Sequence, residues 1–171
     1  MKIIVFADIH GNFRAMQAVL QAALREKPQK TVFCGDLFGG WRDNSQIAEM
    51  AQSLDGVLYF VKGNNDIWDE RLIDGGMEDN VPMYHFGRTL FFTHGDRYNG
   101  WRIPPVLQEN DAIIFGHTHV SSLTKRNGLF VLNVGSVALP RDDKPCYLVL
   151  DESGATLRDL NGQDLYTLPW N

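Results

Sequence analysis

Apolar and polar positions change period along the chain. Residues 2–7 form an almost unbroken apolar run, the pattern of a strand buried on both faces. Over residues 13–27 the period lengthens: Phe13, Met16, Val19, Leu20, Ala23 and Leu24 recur at helical spacing, and Pro28 ends the segment. Residues 31–34 read as a second strand, 45–53 as a helix with Ser45 as its cap, and 57–61 as a third strand. This β-α-β-α-β alternation predicts parallel strands joined by helical crossovers.

Beyond a short helix expected over 67–73, the helical period fades. Strands are expected over 83–86, 89–93 and 112–115. Residues 123–126 and 129–132 flank Asn127-Gly128, a pair suited to the positive φ angles of a two-residue hairpin turn. Residues 147–150 and 156–160 form another antiparallel pair around Ser153-Gly154. Two packed sheets with helices outside fit this order, in one α/β domain over 1–171, since no repeat, low-complexity tract or linker divides the chain.

Composition narrows the function classes. At 171 residues the chain is long enough for a substantial core. A formal charge of -5 without a Lys/Arg cluster argues against general nucleic-acid or anionic-membrane binding. The N-terminal apolar run is too short for a signal peptide, and no stretch approaches the ~20 apolar residues of a membrane span, so a cytoplasmic protein is expected. Cys34 and Cys146 adjoin expected core strands and lack CxxC spacing, which favours buried packing roles. Any metal must therefore be held by nitrogen and oxygen.

Such donors are concentrated in five segments that follow β-type runs: Asp8-Ile9-His10, Gly35-Asp36, Gly63-Asn64-Asn65-Asp66, His94-Gly95 and Gly116-His117-Thr118-His119. Asp8 and His10 share the two-residue spacing that points side chains to one side of extended chain, and His117 and His119 repeat it. Asp36 ends an apolar strand, where a carboxylate is costly unless paired or metal-bound. Taken singly, Gly63 to Asp66 reads as a turn, and His85, outside every segment, as a structural residue.

Together the segments resemble the motif set of the calcineurin-like metallophosphoesterase superfamily. Asp8-x-His10, Gly35-Asp36, Gly63-Asn64, His94-Gly95 and Gly116-His117-x-His119 stand in its order, with Gly11-Asn12 and Asn133-x-Gly135-Ser136-x-x-x-Pro140-Arg141 extending the match towards its small, single-domain bacterial and archaeal phosphodiesterase branch. The resemblance implies a four-layer α-β-β-α sandwich with two mixed sheets. It implies Asp8, His10 and His119 on one divalent metal ion, Asn64, His94 and His117 on a second, and Asp36 bridging both. The implied reaction is in-line attack on a small phosphodiester by a metal-bridging hydroxide. Mn²⁺ is the expected metal, with Zn²⁺, Fe²⁺, Ni²⁺ or Co²⁺ compatible with the donor set.

Asn12, Asn65, Arg42 and Arg97 are candidate substrate contacts, being polar residues in or beside these segments. Trp41, Tyr98 and Trp101, which flank loop arginines, are candidates for stacking or loop packing. Many phosphomonoesterases of the superfamily have histidine after the motif asparagine. Here stands Asn65, which does not titrate as a general acid, so diesters are favoured over monoesters. The competing expectations are a noncatalytic protein-interaction scaffold, as in a retromer subunit of this superfamily, a phosphomonoesterase, or a nuclease. The sequence leaves a homo-oligomer open.

Overall fold

The structure, a computed structural model, describes residues 1–40 and 43–171. In chain order its regular elements are β1 (Ile3–Phe6), α1 (Phe13–Glu26), β2 (Lys30–Cys34), α2 (Ser45–Gln52), β3 (Val57–Val61), β4 (Asn80–His85), β5 (Arg88–Thr93), β6 (Ala112–Phe115), β7 (Ser122–Arg126), β8 (Leu129–Asn133), β9 (Cys146–Leu150), β10 (Gly154–Asp159) and β11 (Asp164–Pro169), with a 3₁₀ turn at Glu70–Leu72. The strands form two mixed sheets, ordered β11-β10-β9-β1-β2-β3 and β4-β5-β6-β8-β7. No helix among the described residues is long and apolar enough to cross a membrane.

Alternate side chains of the central strands enter different cores, which explains their continuous apolar sequences. Ile3 and Val5 of β1 face the second sheet, packing in one cluster with Leu90, Phe92, Ile114, Leu132 and Leu148. Ile4 and Phe6 face the opposite way, into a cluster with Met16 and Val19 of α1 and Ile47 and Ala48 of α2. Beneath these helices the first sheet contributes one aromatic ring from each of four adjacent strands. Phe60 stacks on Phe33 at 5.0 Å, Phe33 lies 5.9 Å from Phe6, and Phe6 lies 5.5 Å from Tyr147. A one-residue slip would turn each ring towards the other core, so this row pins the register.

β1, β2 and β3 run parallel to one another, as do β5, β6 and β8. The hairpin between β7 and β8 has positive φ at both Asn127 and Gly128, as its sequence requires. The outer face of the second sheet has no α-helix among the described residues. Its fourth layer is an irregular segment in which Tyr98, Ile103 and Leu107 pack on Phe91, Ile113, Phe115 and Val131.

Several local expectations are corrected. Ser45 is the first residue of α2 rather than its cap: Asn44 occupies that position, and Asp43 accepts the Ser45 N–H at 2.9 Å. The helix expected over 67–73 contracts to the 3₁₀ turn. β4 begins at Asn80 and contains Pro82, tolerated because β4 is an edge strand. Phe86 lies outside β4 and, with Gly87, turns the chain into β5 at positive φ.

Candidate metal centre

The five donor segments converge because they lie at the exits of parallel strands: Asp8 and His10 after β1, Asp36 after β2, Asn64 after β3, His94 after β5, and His117 and His119 after β6. The β1 and β2 exits are held together by backbone bonds. The N–H groups of Ile9 and His10 both donate to the Asp36 carbonyl, at 2.9 and 2.8 Å, and that of Gly11 donates to Leu37. Asp8, His10, Asp36, His117 and His119 all have positive φ between 50° and 65°, so the chain turns sharply at each. Asp and His tolerate this region better than bulky or β-branched residues.

Two groups of side chains could each hold a cation, Asp8 with His10 and His119, and Asp8 with Asp36 and His94. The Nε2 atoms of His10 and His119 face each other at 3.2 Å, and His119 Nε2 lies 3.4 Å from Asp8 Oδ1. Asp36 Oδ2 lies 3.7 Å from His10 Nε2 and 3.5 Å from His94 Nε2. His94 Nε2 also lies 3.0 Å from Asn64 Oδ1 and 3.1 Å from His117 Nδ1.

Two histidines have their tautomers set by backbone. His94 Nδ1 donates to the Cys34 carbonyl at 3.0 Å and His119 Nδ1 to the Leu139 carbonyl at 2.8 Å. A carbonyl only accepts, so Nδ1 carries the proton and the Nε2 lone pair of each neutral ring is left for the cluster, the usual preparation of a metal-binding imidazole. Asp8 is completely buried; its Oδ2 accepts the His117 N–H at 2.9 Å, whereas Oδ1 has no hydrogen-bond partner. An orphaned carboxylate oxygen among imidazole nitrogens fits a cation site.

Electrostatics agree with that fit. Burial, reinforced by the Asp36 and Asp66 carboxylates, pushes Asp8 up to about 7. Burial also disfavours charge on Asp36, but His94 and Asn65 outweigh it and bring that carboxyl down to about 2. His94 is disfavoured as a cation by its burial, yet Asp36 raises it to about 9. Burial lowers His10 and His117. A closely spaced, desolvated set of opposite charges is characteristic of functional sites.

The surrounding residues shape this cluster. Gly63 and Gly116 leave room for it: a Cβ on Gly63 would collide with the Asp36 carboxylate and backbone nitrogen, and one on Gly116 would lie 2.6 Å from Asp8 Oδ2. Asn133 donates to the Gly116 carbonyl and Thr118 hydroxyl, at 3.2 and 2.8 Å, while the Ser136 hydroxyl donates to the Asp8 carbonyl at 2.8 Å. The Asn133-x-Gly135-Ser136 segment thus braces both Asp8 and the His117 loop. Asp66 is wholly buried, accepts three backbone N–H groups from the β2 and β3 exits, and is raised to about 6 by burial. A turn reading of Gly63 to Asp66 missed this role; the sequence signal was only an acidic residue in a donor segment.

The substrate-contact expectations fare unevenly. Asn65 lies beside Asp36, donating through its backbone N–H to Oδ1 at 2.9 Å and through Nδ2 to Oδ2 at 2.8 Å. Asn12 caps α1, its Oδ1 accepting from the Ala15 N–H at 3.1 Å. Arg97 is exposed and pairs with Asp79 at 3.1 Å, on the wall of a small cleft that also includes Asn64. Arg42 and Trp41 lie outside the described residues. Tyr98 packs edge-on against Phe91, and Trp101 lies against Arg126, 4.5 Å from its guanidinium. His85 pairs with Arg88, at the end of β5 opposite to His94. Cys34 and Cys146 are buried free thiols.

Two facing mixed sheets with histidines and carboxylates gathered at their strand exits define the metallophosphoesterase class of α/β protein. The chain belongs to the calcineurin-like phosphoesterase superfamily, whose family profile matches residues 1–155. It is 27% identical to phosphodiesterase YfcE of Escherichia coli K12 over 96% of this chain and 95% of that protein. The solved structure of that phosphoesterase superposes with a TM-score of 0.90 at 26% identity, covering 100% of both chains. A zinc-complexed Vps29 from Entamoeba histolytica shares the fold at 18% identity, with a TM-score of 0.65 and 100% coverage of both chains.

Proposed function

We propose that this chain is a dinuclear metal-dependent phosphoesterase that hydrolyses small phosphodiesters. The observation that carries this reading is the position of Asp36 Oδ2 between His10 Nε2 and His94 Nε2, at 3.7 and 3.5 Å. One carboxylate oxygen thus faces a histidine from each of two ligand sets. Asp8, His10 and His119 would hold one divalent cation, Asn64, His94 and His117 the other, and Asp36 would serve both. Bound divalent cations supply Lewis acidity towards a phosphoryl group and make water a competent nucleophile at neutral pH. The mixed imidazole, amide and carboxylate donors suit Mn²⁺, our working choice, or Zn²⁺, Fe²⁺, Ni²⁺ or Co²⁺.

The chain's own contribution is to position. Backbone carbonyls fix the tautomers of His94 and His119, and the strand exits set ligand spacing before substrate arrives. Hydrolysis forms a P–O bond from water and breaks the ester P–O bond, and the departing alcohol needs a proton. Asn65, beside Asp36, can orient a phosphoryl oxygen through its amide but supplies no titrating acid. That supports diesters with stabilised leaving groups over alkyl monoesters, in line with the similarity to the E. coli phosphodiesterase.

The test is hydrolysis of bis(p-nitrophenyl) phosphate and p-nitrophenyl phosphate by metal-stripped protein titrated with Mn²⁺, Zn²⁺, Ni²⁺ and Mg²⁺, alongside Asp36→Asn. Metal-dependent diester turnover that disappears in the variant is the expected result. Two bound metals without turnover of either ester would favour the scaffold reading.

A further inference from the structure

Two clefts share Asn64 as a wall. One, between Asn64, Asp79 and Arg97, encloses ≈ 100 Å³, far below the several hundred Å³ of an organic ligand site. The other, with Asn64, Asn65, Asp43, Trp68, Asp69 and Arg71 in its lining, encloses ≈ 570 Å³. Asn64 and Asn65 thus separate the larger cleft from the candidate ligand cluster, since their other contacts are His94 and Asp36.

The chemistry of that cleft is selective. Trp68 is 77% exposed, so the indole presents an aromatic surface largely open to solvent. Surface indoles of this kind form stacking platforms for flat rings. Among the described residues, Asp43 and Asp69 bring carboxylates to the cleft and Arg71 a guanidinium. The carboxylates can accept from a group that carries N–H or O–H donors.

We propose that the Trp68 cleft seats an ester group of the substrate and selects a flat, uncharged aromatic group with hydrogen-bond donors, such as a nucleobase on its sugar. The proposal deepens the phosphodiesterase reading and rests on it for the position of the phosphoryl group. Trp68 acts here as a specificity residue and takes no part in bond breaking. It selects mononucleoside or aryl diesters over esters that offer no flat ring to stack.

Steady-state kinetics with Mn²⁺ and bis(p-nitrophenyl) phosphate should show KM raised about tenfold by Trp68→Ala and largely restored by Trp68→Phe, with the change in KM rather than kcat. A second readout needs no turnover: thymidine 5′-monophosphate should quench tryptophan emission of the Mn²⁺-supplemented protein, whereas glycerol 3-phosphate, of matched charge, should not. Trp68→Phe should abolish the quench. Unchanged KM in Trp68→Ala together with equal responses to the two phosphates would overturn the proposal while leaving the hydrolase intact. Selective quenching without turnover of any ester would sink the hydrolase reading and keep the cleft.

Discussion

The carboxylate of Asp66 accepts the backbone N–H of Asp36 at 2.8 Å, joining the exits of two neighbouring strands directly beneath the candidate bridging ligand. The same oxygen accepts from Gly63 at 2.8 Å, and the other from Phe38 at 2.9 Å. Replacing Asp66 with alanine leaves three backbone donors without this partner in a buried place. Each such loss costs roughly 1–3 kcal/mol, so Asp66→Ala should lose at least about 3 kcal/mol, or roughly 6–12 °C in Tm for a chain of this size. Thermal unfolding of the metal-free variant checks this; a Tm within a degree or two of the parent would refute the bracing role.

Gly63→Ala acts on the same place by steric means. Its added methyl would meet both the Asp36 carboxylate and the Asp36 backbone nitrogen, and the latter is tied to Asp66 and has little room to retreat. Overpacking of this kind costs about 1–3 kcal/mol. The expected variant is folded but binds Mn²⁺ at least about tenfold more weakly, as displacing a ligand's support does. Calorimetric titration with Mn²⁺ gives the answer, and parental affinity would show that the clash relaxes without moving Asp36.

Glu26, the last residue of α1, supplies an acid-sensitive contact outside the donor segments. Its carboxylate is buried yet accepts from Lys2, Tyr147 and Arg158 at 2.7–2.8 Å. Burial alone would raise its pKa; these partners prevail and bring it from 4.5 to about 2. Because the folded value is the lower one, the stabilisation is fully present above about 4.5 and is lost as pH falls from there towards 2. The shift corresponds to roughly 3 kcal/mol. Denaturant melts between pH 7 and 3 should show the parent losing stability in this window and Glu26→Gln, already weakened at pH 7, losing much less. Parallel curves would exclude Glu26 as the source.

Asn65→His tests why diesters should be preferred. The backbone N–H to Asp36 is retained, while a titrating imidazole replaces the amide beside it. General acid catalysis is worth about 10²–10⁴-fold when well placed, so even a poorly aligned imidazole should raise monoester turnover relative to diester by about tenfold. The ratio of kcat/KM for p-nitrophenyl phosphate and its diester, followed with pH, measures the effect. An unchanged ratio would detach leaving-group protonation from this position.

Much of the fold was legible because the central strands are apolar on both faces and the helices carry a clear 3.6-residue period. The first three strands, both helices of the alternation and the Asn127-Gly128 hairpin emerge with small shifts at their ends. β11 was not expected at all: it is an edge strand with most residues exposed, so burial imposes little pattern on it. The donor segments were legible as strand exits, since positions of that kind combine polar side chains with apolar approaches. Asp66 and the Trp68 cleft were not, because their roles depend on which loops meet across two sheets, and turn residues look alike before those loops are brought together.

Five of the seven candidate ligands stand at positive φ, where every non-glycine side chain is disfavoured by on the order of 1 kcal/mol or more. Glycine at those places would relax the backbone, but it would empty the site of donors and leave the Asn65 and His117 N–H groups without their carboxylate partners. Here the aspartates and histidines are kept at a local backbone cost, which a cation that binds only the folded chain would offset.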